Sequence, residues 1–88
     1  MMSRSELAKI FERNQVPEWY YSFYGAGRGD CFALELSEDK WILSYYTERG
    51  GRMEEGTFAT EADGCEAMFD AIVGMVQEAQ KRTISKDA

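Results

Sequence analysis

The chain contains no histidine, a single proline and two cysteines, and each shortage removes a class of answers. Without histidine there is no ordinary general base near neutral pH, no imidazole metal ligand and no Ser-His or Cys-His nucleophile pair, so no catalytic residues are expected. Two isolated cysteines, Cys31 and Cys65, make neither a disulfide framework nor a four-ligand zinc site, and both are expected as small buried or half-buried side chains. The carboxylates lack the spacing of a calcium-binding loop, which leaves no metal and no cofactor to expect. No stretch approaches the roughly 18 apolar residues of a membrane span, and the first residues lack the basic and apolar regions of a signal peptide. The expected compartment is the cytoplasm, with no membrane partner.

What is present is acidic and aromatic. Sixteen Asp and Glu against ten Lys and Arg give a net charge of −6 and a sequence pI of about 4.6. That balance disfavours nucleic acid, whose phosphates need clustered Lys and Arg, and suits either a basic partner or simple solubility. With 88 residues, 44% hydrophobic and 14% aromatic, the chain has material for one domain, 1–88, and no more. An ordered core over 3–82 and a frayed tail over 83–88 are predicted.

The local patterns predict six elements. Ser3 followed by Glu6 has capping-box spacing, and Leu7, Ile10 and Phe11 form one stripe of a helix over about 4–13, which Pro17 prevents from continuing through Val16. Period-two alternation then marks strands at Trp19–Tyr24, Cys31–Leu36, Trp41–Thr47 and Met53–Phe58. The connectors are the glycine-rich run 25–30, the polar run 37–40, and a two-residue Gly50-Gly51 turn. In an antiparallel meander these turns put Phe23 opposite Phe32, Tyr21 opposite Leu34 and Trp19 opposite Leu36. They also pair Leu36 with Trp41, Leu34 with Leu43, Phe32 with Tyr45, and Leu43 with Phe58. Thr60, with Asp63 at capping distance, opens a last helix that runs through Cys65, Phe69, Ile72 and Val76 to Lys81 and Arg82. Gly74 within it suggests close approach to the sheet or to the first helix.

The predicted fold class is therefore α+β: a four-stranded antiparallel meander with the N- and C-terminal helices packed on one face, an α-β-β-β-β-α two-layer sandwich. Trp19, Trp41, Phe32 and Phe69 are assigned to its core. The other face carries a row of small residues, Ser22, Ala33, Ser44 and Thr57. Tyr24, Cys31, Tyr46 and Glu55 border it on one side, and Tyr20, Glu35 and Ile42 on the other. A trough walled by tyrosines is a seat for a protein partner, since tyrosine offers large contact area with a polar tip; Tyr, Ser and Thr also suit the wet face of any sheet. Tyr20, Tyr24, Glu35, Ser44, Tyr46, Glu55 and Thr57 are the candidate partner-binding residues.

Two other motifs carry less. Residues 25–30 share glycines with a dinucleotide fingerprint, but Asp30 stands at the third glycine and a strand follows where a helix should. Glu35 and Glu55 fall on strands separated by a third, roughly 10 Å apart, and are read as surface carboxylates or partner contacts rather than an acid-base pair.

The segment from Trp41-Ile42-Leu43-Ser44-Tyr45-Tyr46-Thr47-Glu48-Arg49-Gly50 through Phe58-Ala59-Thr60-Glu61-Ala62 to the helix of Cys65, Met68 and Phe69 resembles small immunity proteins of bacterial polymorphic-toxin systems, those of contact-dependent growth inhibition and type VI secretion. The resemblance covers about half the chain and is one of pattern, without a catalytic motif. It implies a cytoplasmic, non-catalytic antitoxin that binds a cognate toxin domain, a basic nuclease being one candidate, and occludes its active site or substrate path. Arg28, Arg49 and Arg52 at the loop tips depart from a purely phosphate-like surface. The alternative is a general binding adaptor, or a homodimer that pairs its open faces.

Overall fold

A computed structural model describes residues 2–24, 29–81 and 83–86. The elements run α1 (Arg4–Arg13), a single 3₁₀ turn (Glu18–Tyr20), β1 (Tyr21–Ser22), β2 (Cys31–Ser37), β3 (Lys40–Tyr46), β4 (Arg52–Phe58) and α2 (Glu61–Gln80). The class is α+β, with strand order β1-β2-β3-β4. Cα extents of 34 × 34 × 16 Å give the thickness of one helix layer on one sheet.

Both helices begin where the capping pairs place them. The Ser3 hydroxyl accepts from the Glu6 amide and the Thr60 hydroxyl from the Asp63 amide, each at 3.1 Å, filling donors that the first turn leaves unpaired. Helix α1 ends in a Schellman motif: the Val16 amide donates to the Phe11 carbonyl and the Gln15 amide to that of Glu12. Gln15 takes the left-handed conformation (φ 57°) that glycine usually supplies.

The β2–β3 hairpin has the predicted register, with Phe32 opposite Tyr45, Leu34 opposite Leu43 and Leu36 opposite Trp41. Its two-residue turn puts both Glu38 (φ 48°) and Asp39 (φ 70°) in the left-handed region, the geometry that matches strand twist.

Three expectations fail around this hairpin. The first strand is only two residues long and runs parallel to β2, with Tyr21 beside Phe32 and Ser22 beside Ala33; the sheet is mixed. Pro17 leads into the 3₁₀ turn, so Trp19 never enters the sheet and is 64% exposed rather than core. The β3–β4 connection is a three-residue loop, Glu48-Arg49-Gly50, closed by the Thr47 amide on the Gly51 carbonyl, with Gly50 at φ 86°. A bulge at Glu55 then shifts the pairing, so Leu43 faces Gly56 and Phe58 faces Trp41.

The core lies between the sheet and the helices: Leu7, Ile10 and Phe11 from α1, Leu34, Trp41 and Leu43 from the sheet, and Cys65, Met68, Phe69, Ile72 and Val76 from α2. Phe11 packs at 4.7 Å from Tyr21 and stacks on Phe69 at 6.4 Å. Close approach to the sheet comes at Gly64, where a Cβ would stand 2.9 Å from the Leu34 Cδ1 and 3.3 Å from the Trp41 Cβ. Gly74 is exposed with nothing within 4 Å of a Cβ, which corrects the sequence assignment. The tail departs from the frayed expectation at 83–86. Ile84 is buried, and Asn14 and Ser85 exchange two hydrogen bonds, Asn14 Nδ2 to the Ser85 carbonyl at 2.9 Å and the Ser85 amide to Asn14 Oδ1 at 3.0 Å.

Candidate functional site

On the face away from the helices, alternation along β2 and β3 brings up Cys31, Ala33 and Glu35 and then Lys40, Ile42, Ser44 and Tyr46. The observed pairing orders them into three rows: Glu35–Ile42–Thr57, Ser22–Ala33–Ser44–Glu54, and Cys31–Tyr46–Arg52. Glu55 is the extra residue of the bulge. It therefore stands opposite no single partner, while Glu54 occupies the place in the Ser44 row expected for Thr57, and Arg52 the place beside Tyr46 expected for Glu55.

Tyr46 dominates this face. Its hydroxyl donates to Glu35 Oε1 at 2.9 Å, although Glu35 sits four pairs along the hairpin, opposite Ile42. To meet, the phenol and the carboxylate must lean toward each other over the Ala33–Ser44 row between them. Cys31, Ala33 and Ser44 on this face are 1%, 0% and 0% exposed and lie outside the core cluster that the helices form with the sheet. The Arg52 guanidinium lies 6.0 Å from the Tyr46 ring centre, within cation–π range. Burial pushes the Tyr46 phenol above its ordinary pKa, as does its bond to Glu35, while Arg52 pulls the other way. The phenol therefore stays protonated and donating at neutral pH.

The Ser44 hydroxyl is fully buried and has no hydrogen-bond partner, an arrangement that costs about 1–3 kcal/mol. Glu54, next to it on β4, accepts a 3.0 Å hydrogen bond from the Thr57 hydroxyl.

Of the seven candidate residues, Glu35, Ser44 and Tyr46 come together and Thr57 closes the edge through Glu54. Three do not join them: Glu55, taken up by the bulge, Tyr20 and Tyr24. Tyr20 belongs to the 3₁₀ turn, packs toward the core side and accepts a 3.3 Å hydrogen bond from Gln80 Nε2. Tyr24 follows β1 and is 94% exposed. It lines a cleft of about 430 Å³ with Arg4, Ser5, Ala8, Phe23 and Glu61. There the Arg4 amide and Nε both donate to Glu61 Oε2 at 3.0 Å, joining the starts of the two helices. The Arg4 amide first, and then its side chain, hold the Glu61 carboxyl below its ordinary pKa. Sequence reading missed Glu54 and Arg52. The doublet Glu54-Glu55 ahead of Gly56, in a strand that carries both signs of charge, was the available sign of a bulge.

The charge balance of the face also differs from expectation. Glu35 and Glu54 are accompanied by Lys40 and Arg52, so the acidic excess lies elsewhere. Helix α2 carries Glu61, Asp63, Glu66, Asp70 and Glu78 without a Lys or Arg.

Chemically the face offers hydrogen bonds, charge and aromatic surface. Among the described residues no three His, Cys, Asp or Glu side chains gather to hold a metal ion, and no helix is long and apolar enough to cross a membrane. Both thiols are buried and unbridged. Burial, aided by the Glu61 charge, pushes the Cys65 thiol up to about 11, which keeps it protonated and a poor nucleophile at neutral pH. No family model, no curated protein and no solved structure matches the chain.

Proposed function

We propose that the protein is a non-catalytic binding protein that docks a protein partner on its open sheet face, and specifically a cytoplasmic immunity protein that neutralises a cognate toxin domain by covering its active site or substrate path. The observation that carries the docking reading is the uncovered face of β2, β3 and β4, with an aromatic, hydrogen-bonded centre at Tyr46. Rigid strands present these groups without loop ordering, which lowers the entropic cost of association. The immunity reading adds the pattern resemblance of residues 41–69. A chain with no histidine also suits inhibition by occupancy better than inhibition by chemistry.

Co-expression with the C-terminal domain encoded immediately upstream tests this. The expected outcome is a one-to-one complex and rescue of growth in cells producing that domain. Substitution of Tyr46 by Glu should abolish both while the melting temperature moves little. A complex that survives the Tyr46 change, or a domain whose toxicity the protein does not relieve, overturns the reading.

A second reading is a homodimer joined face to face. Lys40 and Arg52 beside Glu35 and Glu54 give the face both signs of charge, as an isologous contact requires. Sedimentation of the protein alone decides it: a dimer dispersed by the Tyr46 change supports this reading, and a monomer at 100 μM, an order-of-magnitude working concentration for weak association (roughly −5 to −6 kcal/mol), rejects it.

A further inference from the structure

We infer that the centre of the open face is an acceptor for an arginine side chain of the partner, held by Glu35 and Glu54 over the Ser44 hydroxyl. The inference rests on the docking reading above and names the chemistry of its central contact.

Three observations converge on it. The Ser44 hydroxyl points to this face, is fully buried and has no partner, so the fold retains a hydrogen-bonding group it does not use. Glu54 stands beside Ser44 on β4, and Glu35 lies two pairs along on β2, on the same face. Each carboxylate has only a neutral hydroxyl donor, from Thr57 and Tyr46 respectively, and among the described residues neither makes an ion pair; the pairs formed are Arg4–Glu61 and Lys86–Glu66. Finally, the Tyr46 hydroxyl is tied to Glu35 across the Ala33–Ser44 row, with the Arg52 guanidinium beside its ring.

Strands on either side of β3 lie about 4.8 Å away, so the two carboxylates flank any group standing over Ser44. A planar guanidinium has five N–H donors, enough for both carboxylates and the serine oxygen together, and its flat face packs on a phenol ring. An ammonium is more strongly hydrated and lacks the planar face. On binding, the Tyr46 hydroxyl releases Glu35 and its ring flanks the guanidinium. Arg52 already shows that a guanidinium sits beside this ring. An arginine of the partner thus gives both carboxylates an ion pair where they now have hydroxyl donors alone, and gives Ser44 its missing partner.

The probe is the blocked tripeptide acetyl-Gly-Arg-Gly-amide, titrated to millimolar concentration into the full-length ¹⁵N-labelled protein, with the citrulline peptide as its neutral isostere. Amide shifts at Glu35, Ser44, Tyr46 and Glu54 are expected with arginine and not with citrulline. The paired change Glu35→Gln and Glu54→Gln keeps side-chain size and should weaken binding about tenfold, with an unchanged melting curve as the folding control. Tyr46→Phe should strengthen it about twofold, because Glu35 no longer gives up a hydroxyl donor. No arginine response, equal response to citrulline, or shifts confined to the acidic α2 overturn the inference. Should the toxin domain still be captured through Tyr46 in that case, the docking reading stands and only the arginine acceptor is removed.

Discussion

On the helix side of the β2–β3 hairpin, Leu34 and Leu43 are buried beneath a second layer of structure. On the other side Ala33 and Ser44 are equally buried but lie outside the core cluster formed with the helices. The same strands, at the same depth, thus have interiors of two kinds. Beneath the helices, many apolar contacts from α1 and α2 share the cover, and removing any one leaves the rest. On the open side the Tyr46–Glu35 hydrogen bond spans the row with Arg52 beside the ring, and the buried Ser44 hydroxyl is unsatisfied. Burial that adds stability and burial that holds a group ready for something else look alike in accessibility, and they separate only when the covering atoms and the hydrogen bonds are counted.

Substitution should separate the two sides by sign as well as size. The largest effect is expected at Leu34→Ala. It empties a fully buried site between the sheet and Gly64 and should lower unfolding free energy by about 2–5 kcal/mol, read from urea denaturation at constant slope. A loss below about 1 kcal/mol would mean that the helix layer is not packed as described. Next comes Gly74→Ala, in the outer face of α2. With open space around a Cβ there, the change should add about 1 kcal/mol of stability by relieving backbone entropy; a loss would show that this helix face is covered. The smallest is Ser44→Ala. On the helix side a truncation destabilises, whereas here removal of a buried hydroxyl without a partner should raise stability by a few tenths to about 1 kcal/mol. Destabilisation at Ser44 would erase the contrast between the two interiors, and with it the reason to regard the open face as prepared for a ligand.

Legibility followed the reach of the interactions. Both helix starts were readable from Ser3 with Glu6 and from Thr60 with Asp63, since a cap is made within four residues. The register of β2 on β3 was readable because alternation and a two-residue turn agree. The third hairpin was half readable. Gly50 does take the positive φ, but its loop is one residue longer than the Gly50-Gly51 reading allowed, and the bulge at Glu55 then moved Thr57 away from Ser44 and brought Glu54 in. Of the candidate residues, Glu35, Ser44 and Tyr46 share one face as expected because their strands were well registered. Tyr20 and Tyr24 were misplaced because their strand was assigned by alternation and a six-residue glycine-rich connector, 25–30, which does not fix its direction.

By itself the sequence determined the α+β class, both helices, the central hairpin and the chemical difference between its faces, since caps, turns and period-two alternation are set by near neighbours. Tertiary structure decided that β1 lies parallel to β2, that Gly64 rather than Gly74 meets the sheet, that the tail folds back through Ile84 and the Asn14–Ser85 pair, and that Tyr46 reaches Glu35 over a buried serine. Each of those depends on which surfaces remain free once the hairpin and α2 have packed. That competition takes place among residues far apart in the chain, and no local pattern records its result.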